Sequence, residues 1–208
     1  MSLESNLQAI FEAERALRRA ETELLKGNPK ELSELLSGAV AKAKAETDRH
    51  EAELRLTRLA DLCAQVPGEP MAAALISILD EEPPSVRVQA AEALVDVAYD
   101  RYAEVARAIE RTLASGASGQ AMQELPWVIA EIAEPSAVLL ISGFLTHRNP
   151  EIVASAIEAL ARLGDPSATP ALQKLAGDPR VVTIDEGDEE LTSTLGELAS
   201  EALAALAD

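Results

Sequence analysis

The chain has 208 residues, 48% hydrophobic but only 2% aromatic, and 36 acidic against 18 basic residues give it a formal net charge of −18. Nearly all of the excess negative charge lies in residues 51–208. A negative electrostatic field of this size repels nucleic-acid phosphates and anionic membranes. It attracts basic proteins, or it simply keeps the chain soluble. The composition therefore excludes a large aromatic core and a basic, aromatic-rich groove for nucleic acid.

Residues 1–27 predict an amphipathic helix that precedes the rest of the chain. Four apolar residues recur in it at every seventh position: Leu3, Ile10, Leu17 and Leu24. They form one stripe on a helix otherwise rich in Glu and Arg. Such a stripe caps the open end of a helical array, or it pairs with a second copy of the chain in a homodimer.

Residues 28–208 predict a single domain of paired amphipathic helices with no β-sheet. Apolar residues recur with the helical period, and most Gly and Pro residues fall between the apolar stretches. Polar residues before Pro mark helix starts at Glu134–Pro135, Asn149–Pro150 and Asp165–Pro166, because Pro in a first turn loses no hydrogen bond. The predicted pairs are 30–46 with 50–66, 70–81 with 85–98, 101–115 with 119–133, 136–147 with 150–163, and 167–177 with 190–207.

These pairs repeat along the chain with a period of about 31 to 33 residues. Residues 130–145 align with residues 161–176, and residues 85–94 align with residues 151–160 two periods later, each with the apolar positions in register. One helix pair cannot bury its apolar face alone, so neighbouring pairs must stack.

Two segments carry a resemblance to a known family: SVRVQAAEALVDVA at 85–98 and EIVASAIEALARLGDPSATPALQKLAGDP at 151–179. Both resemble the short HEAT-like repeats named for phycobilisome lyase subunits, and the resemblance extends over roughly residues 50–207. It implies an all-α, right-handed α-solenoid of about five helical pairs whose second helices line a concave face.

Residues 178–190 predict an acidic loop insertion, because about a dozen residues separate the last two helices where other units have a short turn. This insertion carries six acidic residues and Arg180. The run from Arg180 to Ile184 favours an extended conformation, which packs on the end of the array or pairs with a partner's strand; a solvated insertion is the alternative. The spacing of Asp185, Asp188 and Glu190 fails the EF-hand pattern, so we predict no metal site.

Candidate catalytic residues do not converge in the sequence. His50 and His147 lie three repeats apart, and Cys63, the single cysteine, occupies an apolar helical position typical of a core residue. One His–Glu pair, His50–Glu51, is too little for the di-iron site of HEAT-like hydroxylases. We therefore predict no enzyme and no cofactor. Phycobilin lyases use similar repeats to hold a chromophore, so a lyase-like or chaperone subunit for a tetrapyrrole is an alternative.

The register of the second helices predicts a surface for a partner. Its first column is Asp61, Glu92, Trp127, Glu158 and Glu201, and its second column includes Asp96, Glu131 and Arg162. An indole among carboxylates suits a Lys- or Arg-bearing segment through cation–π attraction. Alternatively, Trp127 turns inward to fill space beside small neighbours, and Pro126 bends its helix.

We therefore predict a protein–protein interaction scaffold that binds a basic segment of another protein on an acidic concave face, without nucleic-acid or membrane partners. Self-assembly through the N-terminal helix is a further alternative. The N-terminal residues lack the pattern of a signal peptide, and no stretch approaches the ~18 apolar residues of a membrane span, so we expect a cytoplasmic protein.

Overall fold

The structure is a computed structural model that describes residues 2–132, 134–186 and 189–207, with residues 184–186 and 189–191 described by their backbone alone. Its helices are α1 (Leu3–Leu24), α2 (Pro29–Lys44), α3 (Arg49–Gln65), α4 (Glu69–Leu79), α5 (Pro84–Ala114), α6 (Gln120–Ala130), α7 (Ala137–Ser142), α8 (Pro150–Leu163), α9 (Thr169–Leu172) and α10 (Leu195–Ala205). Short 3-10 turns follow α7 at Gly143–Thr146 and flank α9 at Pro166–Ala168 and Gln173–Leu175.

These helices form an α-solenoid in which each second helix packs on the next. Along this row α3 contacts α5, α5 contacts α6, α6 contacts α8, and α8 contacts α10. A single cluster of buried aliphatic side chains runs from Leu32 in α2 to Ala202 in α10. The predicted all-α solenoid is therefore confirmed, and its core is shared between neighbouring units as stacking requires.

Polar caps set several of the helix starts. Asn28, Asp48 and Asn149 each accept a hydrogen bond from a first-turn backbone N–H of the helix that follows, which satisfies donors that the helix itself leaves free. Asp165 caps the 3-10 turn before α9 in the same way. The start predicted at Glu134–Pro135 is wrong, because α7 begins at Ala137 after Ser136.

Helix α5 joins two predicted helices, 85–98 and 101–115, into one run with a break at Arg101 (φ −138°, ψ 43°). The Arg101 guanidinium donates hydrogen bonds to the carbonyls of Ala64 and Val66 at the end of α3, the latter at 2.9 Å. Glu104 accepts a hydrogen bond from the Gly68 N–H at 2.8 Å. Arg101 at the break and Glu104 just after it therefore bind the free backbone groups at the end of α3 and in the turn that follows.

The expectation of no β-sheet is wrong. Strands β1 (Val181–Glu186) and β2 (Glu189–Thr194) pair antiparallel, with Val181 opposite Thr194, so the predicted loop insertion contains a hairpin. The β-branched run at 181–184 is extended as predicted, and it pairs with the chain's own β2 while Val182 is buried. The side chains of Asp185, Asp188 and Glu190 lie outside the described residues.

Helix α1 has no buried residue, although it is amphipathic as predicted. Leu17 and Leu24 are half-buried, and Glu21 pairs with Arg58 of α3 at 3.0 Å. Four apolar residues nearer the amino terminus are exposed: Leu3, Leu7, Ile10 and Phe11. The stripe is therefore covered over its carboxyl-terminal half and open to solvent over its amino-terminal half.

Candidate protein-binding groove

Four of the residues predicted to face a partner line one groove of about 500 Å³ between α5 and α6. Glu92 and Asp96 come from α5, and Trp127 and Glu131 come from α6 and its carboxyl end. Apolar residues complete the lining, namely Ala91, Val95 and Val128, together with the carboxylate of Glu124. We call this site the acidic groove.

Helix α6 places the indole at the edge of the core. Trp127 is half-buried and packs against the core cluster, while part of its surface lines the acidic groove. The ring therefore fills space beside the core, as one sequence-based alternative expected, and part of it also lines the groove. Pro126 is buried, and α6 continues through it to Ala130.

A cation from the next unit contacts two residues that line the groove, Trp127 and Glu131. Arg162 of α8 places its Cζ atom 5.9 Å from the centre of the Trp127 ring. The same guanidinium donates to Glu131 Oε1 at 2.5 Å. Arg162 therefore joins α8 to the end of α6 through a cation–π contact and an ion pair.

Tyr99 is a residue of this surface that the sequence analysis missed. Its side chain is 66% exposed, and its hydroxyl donates to the Glu131 carbonyl oxygen at 3.5 Å. The sequence offered two signals for Tyr99. It lies three residues after Asp96, which places both on one side of a helix, and it is one of only five aromatic residues in the chain.

The carboxylates of the groove differ in their partners. Glu124 lies 3.5 Å from the Arg87 guanidinium, and Glu131 pairs with Arg162. Within the described residues, the ion pairs leave Glu92 and Asp96 without a basic partner. Both of these side chains are exposed, so they present uncompensated negative charge.

Three other predicted residues lie apart from the acidic groove. Asp61 accepts a hydrogen bond from Gln89 at 2.8 Å and pairs with Arg58 at 3.3 Å. Glu158 lies on α8, where partial burial, followed by repulsion from Glu151, raises the pKa of its carboxyl above the ordinary value. Glu201 lines a separate cleft beside Asp178 and Thr194.

Two residues considered as catalytic candidates, His147 and Cys63, are buried. His147 is buried; its Nε2 lies 2.9 Å from the Ala117 carbonyl oxygen, and its Nδ1 accepts from the Asn149 N–H at 3.1 Å. Cys63 is fully buried, and burial raises the pKa of its thiol to about 12. A buried, protonated thiol is a poor nucleophile. Among residues 2–132, 134–183 and 192–207, whose side chains the structure describes, no three His, Cys, Asp or Glu side chains gather to hold a metal ion.

No helix in the described part of the chain combines the length and apolar composition that a membrane crossing requires.

Comparison with known proteins finds a match to HEAT repeats over part of the chain. Residues 108–185, from the second half of α5 to β1, match the family model described as HEAT repeats, which confirms the resemblance seen in the sequence. Among solved structures, a designed armadillo repeat protein is similar with a TM-score of 0.36 and 17% identity, over 90% of this chain and 98% of that one. A search of curated proteins finds no significant match.

Proposed function

Because residues 108–185 carry HEAT repeats, we propose that this chain is a non-enzymatic interaction scaffold that binds a basic segment of another protein in the acidic groove. Stacked helical repeats offer extended surfaces for protein partners. The single observation that carries the proposal is the combination in one groove of a half-buried indole with the exposed carboxylates of Glu92 and Asp96.

The chemistry of the groove fits a cationic segment. Apolar walls and the Trp127 ring provide contact area, and aromatic residues in such pockets contribute strongly to protein interfaces. The exposed carboxylates provide charge complementarity, which raises the association rate and aligns the partner. The contact between Arg162 and Trp127 supports the proposal, since it places a guanidinium beside this ring.

The test measures binding of an arginine- and lysine-containing peptide by calorimetry. In the Glu92→Lys, Asp96→Lys double variant, we expect binding to weaken at least about tenfold, because two attractive charges become repulsive. The matched control carries Glu110→Lys and Glu12→Lys, the same change in net charge at two exposed positions outside the groove. Equal weakening in both variants would show that net charge alone attracts the peptide, and the proposal would fail.

Self-association through α1 is a second candidate, and it is favoured by the exposure of Leu3, Leu7, Ile10 and Phe11. The predicted homodimer residues Leu17 and Leu24 are half-buried against the array, so the exposed half of the stripe is the proposed contact.

Light scattering tests this candidate on the full chain. Leu7→Glu with Phe11→Glu places two charges in the apolar contact, and we expect the mass to fall to that of a monomer. The control is Ala9→Glu with Ala16→Glu, which adds the same charge at exposed positions off the stripe. A monomeric wild-type chain would contradict self-association.

Handling of a tetrapyrrole stays a prediction from the resemblance. Titration of the protein with a bilin tests it, because a chromophore held by the repeats changes its absorption spectrum. An unchanged spectrum would count against this alternative.

A further inference from the structure

The Arg162 side chain contacts two residues that line the acidic groove, Trp127 and Glu131, at the same time. Its guanidinium lies 5.9 Å from the centre of the Trp127 ring and 2.5 Å from Glu131 Oε1. A planar guanidinium stacks on an aromatic face while its edge donates to a carboxylate, whereas a lysine ammonium is a compact and strongly hydrated point charge. The geometry is therefore better matched to arginine than to lysine.

This internal contact is open to exchange. The Arg162 side chain is 59% exposed and that of Glu131 is 49% exposed. Ion pairs with this exposure gain little because water and salt screen them. Another guanidinium that reaches the groove can therefore replace Arg162 without unfolding any helix.

An incoming segment gains contacts that Arg162 does not make. Arg162 pairs with one carboxylate, Glu131, while Glu92 and Asp96 line the same groove and have no basic partner within the described residues. We propose that the acidic groove selects arginine and that Arg162 holds Trp127 and Glu131 until an arginine of the partner displaces it from these two residues. This inference rests on the proposed function, since it names the ligand group and the regulation of the same site.

Intrinsic fluorescence gives a direct readout, because Trp127 is the chain's single tryptophan. The probes are two acetylated and amidated peptides of equal charge, Gly-Arg-Gly-Arg-Gly and Gly-Lys-Gly-Lys-Gly, titrated into the full-length protein. We expect both to alter the emission of Trp127 and the arginine peptide to bind more tightly. Equal affinity for the two peptides would overturn the selectivity for arginine.

Removal of the internal competitor tests the displacement. In Arg162→Ala, we expect the arginine peptide to bind about three- to tenfold more tightly than in wild type, because the ring and Glu131 are free before the peptide arrives. The matched control is Arg111→Ala, which removes another exposed arginine that pairs with a glutamate of a different helix, Glu69, at 2.7 Å. Both variants change the net charge by the same amount, and circular dichroism verifies that each is folded.

The outcomes separate this inference from the proposed function. If Arg162→Ala binds no more tightly than Arg111→Ala, or more weakly than wild type, the displacement is wrong, and the groove remains the binding site if Glu92→Lys with Asp96→Lys still weakens binding at least about tenfold. If the double variant binds the arginine peptide as wild type does, the proposed function itself fails. Arg162→Lys, which keeps the charge but loses the planar group, is expected to bind with an affinity between those of wild type and Arg162→Ala.

Discussion

The Asp80 carboxylate accepts a hydrogen bond from the backbone N–H of Ala121 at 3.0 Å, so an acid at the end of α4 caps the helix that carries Trp127. Gly119 lies directly beside this carboxylate. A Cβ atom at position 119 would approach Asp80 Oδ1 to 2.1 Å, closer than any two such atoms can pack. The contact between Asp80 and Gly119 therefore fixes where α6 begins.

A double-mutant cycle tests this relationship. Asp80→Ala removes the cap, which costs about 1 kcal/mol of unfolding free energy, and Gly119→Ala expels the Asp80 carboxylate from the same position at a cost of about the same size. Because both changes remove one interaction, we expect the double variant to lose about 1 kcal/mol rather than the sum. Urea denaturation measures all four proteins, and additive losses would contradict a shared interaction.

Arg180→Ala is expected to destabilise the protein by about 1 to 2 kcal/mol. Arg180 makes a two-point ion pair with Asp178, at 3.0 and 2.7 Å, and donates to the His147 carbonyl oxygen at 2.8 Å. Its loss leaves this carbonyl without the guanidinium donor and leaves Asp178 with the backbone N–H of residue 180, at 3.0 Å, in place of the ion pair. Arg18→Ala, which breaks the exposed pair with Glu14, should cost less than about 0.5 kcal/mol in the same urea assay. Equal losses would show that the Arg180 contacts do not stabilise the fold.

Glu158 gives the stability a dependence on pH. Because burial, and then Glu151, raise the pKa of its carboxyl in the folded state, the folded protein binds more protons than the unfolded chain just above the ordinary pKa of glutamate. The free energy of unfolding therefore falls as pH rises from the ordinary to the raised pKa. Glu158→Gln removes this titration, so it should be more stable than wild type at neutral pH by a margin that shrinks as pH falls from the raised pKa towards the ordinary value of about 4.5. Urea denaturation across this range checks the difference, and a constant difference would contradict the cause.

Cys63 should resist thiol reagents in the folded protein. Its side chain is fully buried, and burial raises the pKa of the thiol to about 12, while labelling requires an accessible thiolate. We expect reaction with a disulfide reagent at pH 8 to be at least about a hundredfold slower in buffer than in concentrated urea, because the helix must open first. The unfolded chain is its own control, and comparable rates would place the thiol at the surface.

Repeat register placed four of the predicted residues on one surface, because it depends only on which side of each helix a residue occupies. Glu92 and Asp96 lie one turn apart on α5, as do Trp127 and Glu131 on α6, so a correct helix assignment brings all four to one surface. The sequence could not predict that Arg162 reaches across to Trp127. That contact depends on the conformation of a long side chain between two units.

The sequence analysis missed two features, the exposed Tyr99 and the β-hairpin, because the sequence around each of them favours a different assignment. Tyr99 falls at the boundary predicted between two helices, where α5 in fact continues to the break at Arg101, so no face was assigned to it. The hairpin strands carry many acidic residues and only a short β-branched run, which is typical of a loop. The pairing of the two strands depends on burial of Val182 and on contacts with α8 and α10. A local sequence pattern does not reveal these contacts.

The Arg101 break in α5 has a consequence for how the array loses structure. Repeat arrays whose units touch only their neighbours tend to fray one unit at a time from an end. Here the guanidinium of one unit holds the last carbonyls of the unit before it, and Glu104 holds the Gly68 amide in the turn between them. These hydrogen bonds join α3, α4 and α5, so the three helices should exchange their amide hydrogens as one cooperative block.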